Sequence, residues 1–122
     1  MKALQATLTD DVLSGATSVT VTNAGTGALY TEPIKGTNEL VAVQVNIAKT
    51  SGTLDGSVVL QGSMDGTNFV TIGSAFTVTN VASQSTVFLV PKASNGYTYF
   101  KVLDTGSGTG VRVTSANWLV RK

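Results

Sequence analysis

Residues 58–72 read VVLQGSMDGTNFVTI. An Asp-Gly pair separates two apolar runs, with Ser63, Thr67 and Asn68 clustered around it. The cluster either holds a metal or a sugar, or it is the turn of a hairpin. Pairing register distinguishes the two. A two-residue loop would set Leu60 against Thr71 and Gln61 against Val70, mixing polar and apolar side chains on both faces. A three-residue loop, Met64-Asp65-Gly66, pairs Leu60 with Val70 and Val58 with Ile72, and puts Gln61 beside Phe69 and Val59 beside Thr71. One face then becomes apolar throughout. A slip of one residue inverts both faces, so the cleaner register is expected. Such loops combine a type I turn with a left-handed residue, which Gly66 supplies without steric cost. A calcium loop needs several oxygens converging on one ion, and a lone Asp65 followed by Gly, Thr and Asn does not provide them.

The same alternation extends outward from this hairpin. Val19 and Val21 alternate with threonines, and Val41, Val43, Val45 and Ile47 alternate with Ala42, Gln44, Asn46 and Ala48. Phe76 and Val78, Phe100 and Val102, and Val111 and Val113 around Arg112 continue the pattern. Period two is the signature of half-buried strands. The run STVFLV, residues 85–90, is apolar on both faces and predicts a central strand covered on two sides. It ends at Pro91, which cannot continue a central ladder. Turn signals at Ser51-Gly52, Asp55-Gly56, Asp65-Gly66, Asn95-Gly96 and TGSGTG (residues 105–110) separate the runs. Short, evenly spaced strands predict an all-β fold: a single-domain antiparallel β-sandwich, immunoglobulin-like or jelly-roll. In the last segment Val113 and Trp118 differ in parity. Either a bulge near Ser115-Ala116 corrects this, or Trp118 points outward. Residues 1–16 suggest an N-terminal arm. There Leu4, Leu8 and Val12 fit a helical turn, while Leu4, Ala6 and Leu8 fit a strand, the preferred assignment. Residues 23–39 form the longest stretch without strand character, and loops of that length are often functional.

Composition removes whole classes of chemistry. The 122 residues contain no cysteine and no histidine. Disulfides, thiol catalysis and Cys-type zinc sites are therefore absent, as are the usual general base near neutral pH and the commonest metal ligand. Charged residues make up 12% of the chain, about half the usual share, and the net charge is +1. A surface of this kind gives no footprint for nucleic acid or acidic lipid. No apolar run approaches the roughly 20 residues of a membrane span, and the opening residues do not read as a signal peptide. Asp10 and Asp11 would face opposite ways on a strand, so they do not form a carboxylate pair. The glycines of residues 105–110 resemble a phosphate cradle but precede a strand rather than a helix, so a hairpin connection is expected. No catalytic, cofactor-binding or metal-binding residue is assigned, and no cofactor is expected. The residues singled out are Tyr30, Pro33, Ile34, Tyr97, Tyr99 and Trp118, as contacts for other polypeptides. Tyr and Trp are enriched at interfaces, and residues 23–39 are expected to pack on a neighbour, either their own domain or another chain. The alternative is a carbohydrate-binding module stacking sugars on Tyr97, Tyr99 or Trp118.

Two segments carry a resemblance. GTLDGSVVLQGSMDGTNFVTI (residues 52–72) and YTYFKVLDTGSGTGVRVTSANWLVRK (residues 97–122) resemble small all-β structural proteins of tailed bacteriophages. The shared features are an apolar strand leading into LQGS-x-DG-x-N-[FW], a Y-x-Y-x-[KR]-V strand, a GTG loop and a basic C-terminal strand. The resemblance covers roughly the last two thirds of the chain. It implies a virion component, assembled in the host cytoplasm, that decorates, cements or connects a capsid or tail. Its implied partners are other copies of itself and other virion proteins, with no nucleic acid and no membrane. It carries no catalytic residues to transfer, and the N-terminal third falls outside it.

Overall fold

The computed structural model describes residues 11–13, 17–22, 25–31, 34, 39–91 and 97–121. Alternating sequences with frequent turns bury an apolar stripe only as paired strands. The described residues form nine: β1 (Asp11–Leu13), β2 (Thr17–Thr22), β3 (Thr26–Tyr30), β4 (Glu39–Ser51), β5 (Leu54–Ser63), β6 (Val70–Thr77), β7 (Ser83–Leu89), β8 (Tyr99–Gly108) and β9 (Val111–Arg121). No described residue is helical. The strands pair as nested antiparallel hairpins: β5 with β6, β4 with β7, β3 with β8 and β2 with β9. This doubled ribbon then closes on itself through β4–β9 and β5–β8. One sheet runs β1-β9-β4-β7, with β2 also on β9, and the other runs β3-β8-β5-β6. An eight-strand ribbon rolled into two sheets is a jelly roll, so the jelly-roll variant of the expected sandwich is the one present. Residues 58–72 form its innermost hairpin.

The core lies between the sheets. Val43, Val45 and Ile47 of β4 face Val58 and Leu60 of β5, Phe100 and Val102 of β8, and Ala116 and Trp118 of β9 in one buried cluster. Alternation along β4 and β8 thus places Val43, Val45, Ile47, Phe100 and Val102 inside as expected, whereas Val41 falls at a register shift and Leu40 is buried in its stead.

Four expectations are corrected. First, Leu60 pairs with Ile72 and Gln61 with Thr71, a register two residues away from the expected one. The loop is longer because its own side chains satisfy its backbone, as described below. A shift of two preserves both faces, so Val58, Leu60 and Ile72 still point inward. Further along, Val58 pairs with Phe76, so Gly73, Ser74 and Ala75 lie opposite Val59 alone. Gly73 has φ +74° and makes this bulge possible. Second, residues 85–90 do not form a central strand. β7 is an edge strand, with Phe88 buried but Val87 and Leu89 54% and 73% exposed. Third, neither remedy for the parity conflict in β9 applies. The strand pairs with β2 without interruption, and the irregularities in the β4–β9 ladder fall on β4, at Val41 and Thr50. Trp118, Ala116, Thr114 and Arg112 all point inward, and Val113 faces out. A buried partner for Arg112 makes this arrangement possible. Fourth, residues 23–39 are not strand-free, since β3 lies within them. Leu29 is buried beside the small Gly27, and the glycine at an inward position hides the alternation. The glycine-rich residues 105–110 join β8 to β9 as expected, but β8 extends through Gly108 and leaves only residues 109–110 as the connection. Of residues 1–16, Asp11–Leu13 pairs with β9; Leu4, Ala6 and Leu8 lie outside the described residues.

Candidate interaction surfaces

The loop that raised the metal question is closed by its own hydrogen bonds. The Ser63 hydroxyl accepts from the N–H groups of Asp65 (3.2 Å) and Gly66 (2.9 Å) and donates to Asp65 Oδ1 (2.8 Å). Asp65 Oδ1 also accepts from the Thr67 and Asn68 N–H groups, both at 2.8 Å, and Oδ2 accepts from Asn68 Nδ2 at 2.9 Å. The Asn68 N–H and side chain, followed by the Thr67 N–H and Ser63 hydroxyl, hold the Asp65 carboxyl well below the usual carboxylate range. Both oxygens are engaged within the loop, so the polar cluster acts as a turn. Gly66 sits at φ +80°, the left-handed residue the turn demands.

Cross-strand pairing sets one row across the outer face of the four-stranded sheet: Tyr30, Lys101, Gln61, Thr71. Tyr30 is 58% exposed and meets Phe69 edge-on, with ring centroids 6.2 Å apart. The Lys101 ammonium lies 4.4 Å from the Phe69 centroid and 5.8 Å from that of Tyr30, within reach of a cation–π attraction. Tyr99 lies one pleat further along β8 and covers Gly66, whose Cβ position is 3.3 Å from the ring. Tyr30, Phe69, Tyr99 and Lys101 therefore form one half-exposed aromatic and cationic patch.

The other expected contacts separate. Tyr97 is half-buried, perpendicular to Phe100 at 6.3 Å, and its ring fills the space a Gly62 side chain would occupy. Trp118 lies in the core and offers no platform. Ile34 packs against the core and donates its N–H to the Thr98 carbonyl at 2.8 Å. Pro33 lies outside the described residues. Sequence reasoning missed Phe69 because the shorter loop placed it in the ladder beside Gln61.

It also missed a buried ion pair. Arg112 Nη2 donates to Asp104 Oδ1 and Nε to Oδ2 at 3.1 Å, while Nη1 donates to the Asp55 carbonyl at 2.6 Å. The Thr114 hydroxyl donates to the same carboxylate. Asp104 and Arg112 are 1% and 2% exposed. The signal was present in the sequence: an inward Trp118 fixes the parity that brings Arg112 inside.

The outer face of the larger sheet differs in character. Its rows run Leu89–Ala42–Leu119, Val87–Gln44–Asn117, Ser85–Asn46–Ser115 and Ser83–Ala48–Val113. None of these residues is charged or aromatic. A shallow groove of about 410 Å³ runs over its Ser83–Ala48–Val113 end.

Solved structures sharing this fold include the Yersinia pseudotuberculosis-derived mitogen, with TM-score 0.54 and 11% identity over 86% of this chain and 84% of that one. The Tobacco streak virus coat protein aligns with TM-score 0.51 and 10% identity over 98% and 91%. A carbohydrate-binding module from the family 9 glycoside hydrolase Cel9A of Ruminococcus flavefaciens aligns with TM-score 0.54 and 15% identity over 89% and 99%. At these identities the likeness is one of fold. No protein-family model matches the chain, and no curated protein matches it in sequence.

Proposed function

We propose that this chain is a structural protein of a bacteriophage particle, decorating, cementing or connecting a capsid or tail through protein–protein contacts in many copies. The observation that carries this is the run of four uncharged rows across β7, β4 and β9, bounded at one end by the Glu39–Arg121 row. A sheet face left to solvent is ordinarily polar and charged. Dense assembly favours the opposite, because like charges on neighbouring copies repel. A viral coat protein with the same roll and the resemblance of residues 52–72 and 97–122 support this reading. The protein acts by contact, without catalysis and with neither nucleic acid nor membrane as partner, and it resides in the virion after assembly in the host cytoplasm. The test is binding of purified protein to particles and to sibling virion proteins, followed by electron microscopy of the assembly. Density for this roll on the particle is expected. A protein that stays monomeric and binds neither defeats the proposal.

A carbohydrate-binding role is the second reading, favoured by the patch of Tyr30, Phe69, Tyr99 and Lys101 and by the same roll in a carbohydrate-binding module. It requires Tyr30 and Tyr99 in place of the buried Trp118. Glycan-array binding lost in Tyr30→Ala supports it; silence across a broad array with an intact fold counts against it.

A further inference from the structure

The roll has four sheet edges, and three are guarded in recognisable ways. The β6 edge is bent by the bulge at Gly73. The β3 edge is five residues long. The edge opposite β7 is divided between β1 and β2, of three and six residues. Short strands and bulges are the means by which proteins prevent edge-to-edge pairing. β7 has neither. It is seven residues long, its ladder with β4 is regular from Ser83 to Leu89, and no charge or proline interrupts it before Pro91.

The groups it turns away from β4 follow from the ladder. The Val90 N–H donates to the Val41 carbonyl at 3.0 Å, and the Lys49 N–H donates to the Ala82 carbonyl at 2.9 Å. Even-numbered residues therefore bond to β4. Because main-chain direction alternates along a strand, Ser83, Ser85, Val87 and Leu89 turn both N–H and C=O outward. The same four residues present their side chains on the uncharged face, with Val87 and Leu89 largely exposed.

We infer that β7 pairs antiparallel with β7 of a second copy across a twofold axis, joining the two larger sheets into one. Two observations favour a copy over a different partner. An antiparallel edge is its own complement, since each outward N–H meets an outward C=O of the same strand reversed. Self-pairing also places residues near the axis opposite themselves, where any charge would face its like; β7 carries none. A hetero-partner would be recognised by complementary charge, and β7 offers nothing to complement. The ladder covers far less than the roughly 800 Å² per partner of a stable complex. The pair is therefore weak in dilute solution and is strengthened where many copies are held together. The inference deepens the structural role proposed above and rests on it.

The chain contains no cysteine, so single-cysteine variants read the contact directly. Ser83→Cys, Ser85→Cys, Val87→Cys and Leu89→Cys are treated with a short thiol-reactive linker at rising protein concentration, free and on particles. Ser74→Cys on the β6 edge is the control. Cross-linked dimer is expected to peak at one β7 position, nearest the axis, and to exceed the control at least about tenfold. Val87→Pro should abolish it while leaving the monomer folded, because its N–H faces away from β4 and edge strands tolerate proline there. Leu89→Lys is the second variant should the proline disturb folding, and it is expected to weaken dimerisation at least about tenfold. Equal cross-linking at β6 and β7 overturns the inference, as does a β7 cross-link to a different particle protein. Particle binding without a β7 cross-link overturns the pairing and leaves the structural role standing. A β7 dimer with no affinity for particles does the reverse.

Discussion

Asp65 and Asp104 are both carboxylates held by several donors, yet they sit in opposite surroundings. Asp65 is in an exposed loop, where the hydrogen bonds of Asn68, Thr67 and Ser63 hold its pKa below the ordinary value. A carboxyl whose folded pKa is depressed adds stability above its unfolded value of about 3.9. That stability is lost as pH falls toward the folded pKa. Asp65→Asn keeps an oxygen acceptor and removes the charge. The wild type should therefore lose more stability than this variant between pH 6 and pH 2, as read by urea midpoints; parallel losses would show that the loop does not depend on the charge. Asp104 is buried against Arg112 and Thr114. Removing one member of such a pair strands the other, which costs about 3–5 kcal/mol, whereas replacing both with apolar residues is often close to neutral. Arg112→Met and Asp104→Leu are each expected to destabilise by that amount, with the double variant losing less than either alone. Additive losses in urea unfolding would mean that the two side chains act independently.

Strands β6 and β7 show how much rests on a single backbone angle. Gly73, at φ +74° with nothing within 4 Å of a Cβ placed there, lets three β6 residues oppose one on β5. Gly73→Ala meets no clash, so it should cost only the left-handed conformation, about 1–2 kcal/mol, measured by equilibrium unfolding. A neutral result would mean that the bulge rearranges freely. The sequence made β4, β5 and β8 legible because apolar residues alternate there with polar ones and periodicity is the signal it displays most openly. β3 was hidden because Gly27 fills an inward position without an apolar side chain. β9 misleads because the rule that inward means apolar fails where Asp104 neutralises Arg112. β7 misleads because two-sided apolarity reads as burial on both faces, although here one face is exposed and the strand lies at the sheet edge. Of the candidate surface, Tyr30 and Tyr99 are legible from residue type, whereas Phe69 depends on the β5–β6 register and Lys101 joins them only through the β3–β8 and β5–β8 ladders. The uncharged face could not be assembled at all, since its rows join strands distant in sequence.

The nested topology places contacts of very different sequence separation in one molecule. Leu60 meets Ile72 around a short loop, whereas Thr22 meets Val111 only when both arms of the ribbon have returned. Loop-closure entropy grows with the length closed, and each outer hairpin finds part of its separation already removed once an inner one has formed. The roll should therefore form from the residue 58–72 hairpin outward, slowly, as suits a fold dominated by non-local pairing. Substitution effects then divide by position in the ribbon. Ile72→Val at the inner hairpin should chiefly slow folding, and Val21→Ala on β2 should chiefly accelerate unfolding, because interactions made in the transition state alter the folding rate and later ones alter the unfolding rate. Both side chains are buried, so each change should cost about 1 kcal/mol or more, enough for a meaningful ratio of kinetic to equilibrium effects. Stopped-flow refolding and unfolding across a denaturant range measures that ratio. If Val21→Ala slows folding as much as Ile72→Val does, the outer pair forms no later than the inner one, and the order argued from loop closure is wrong.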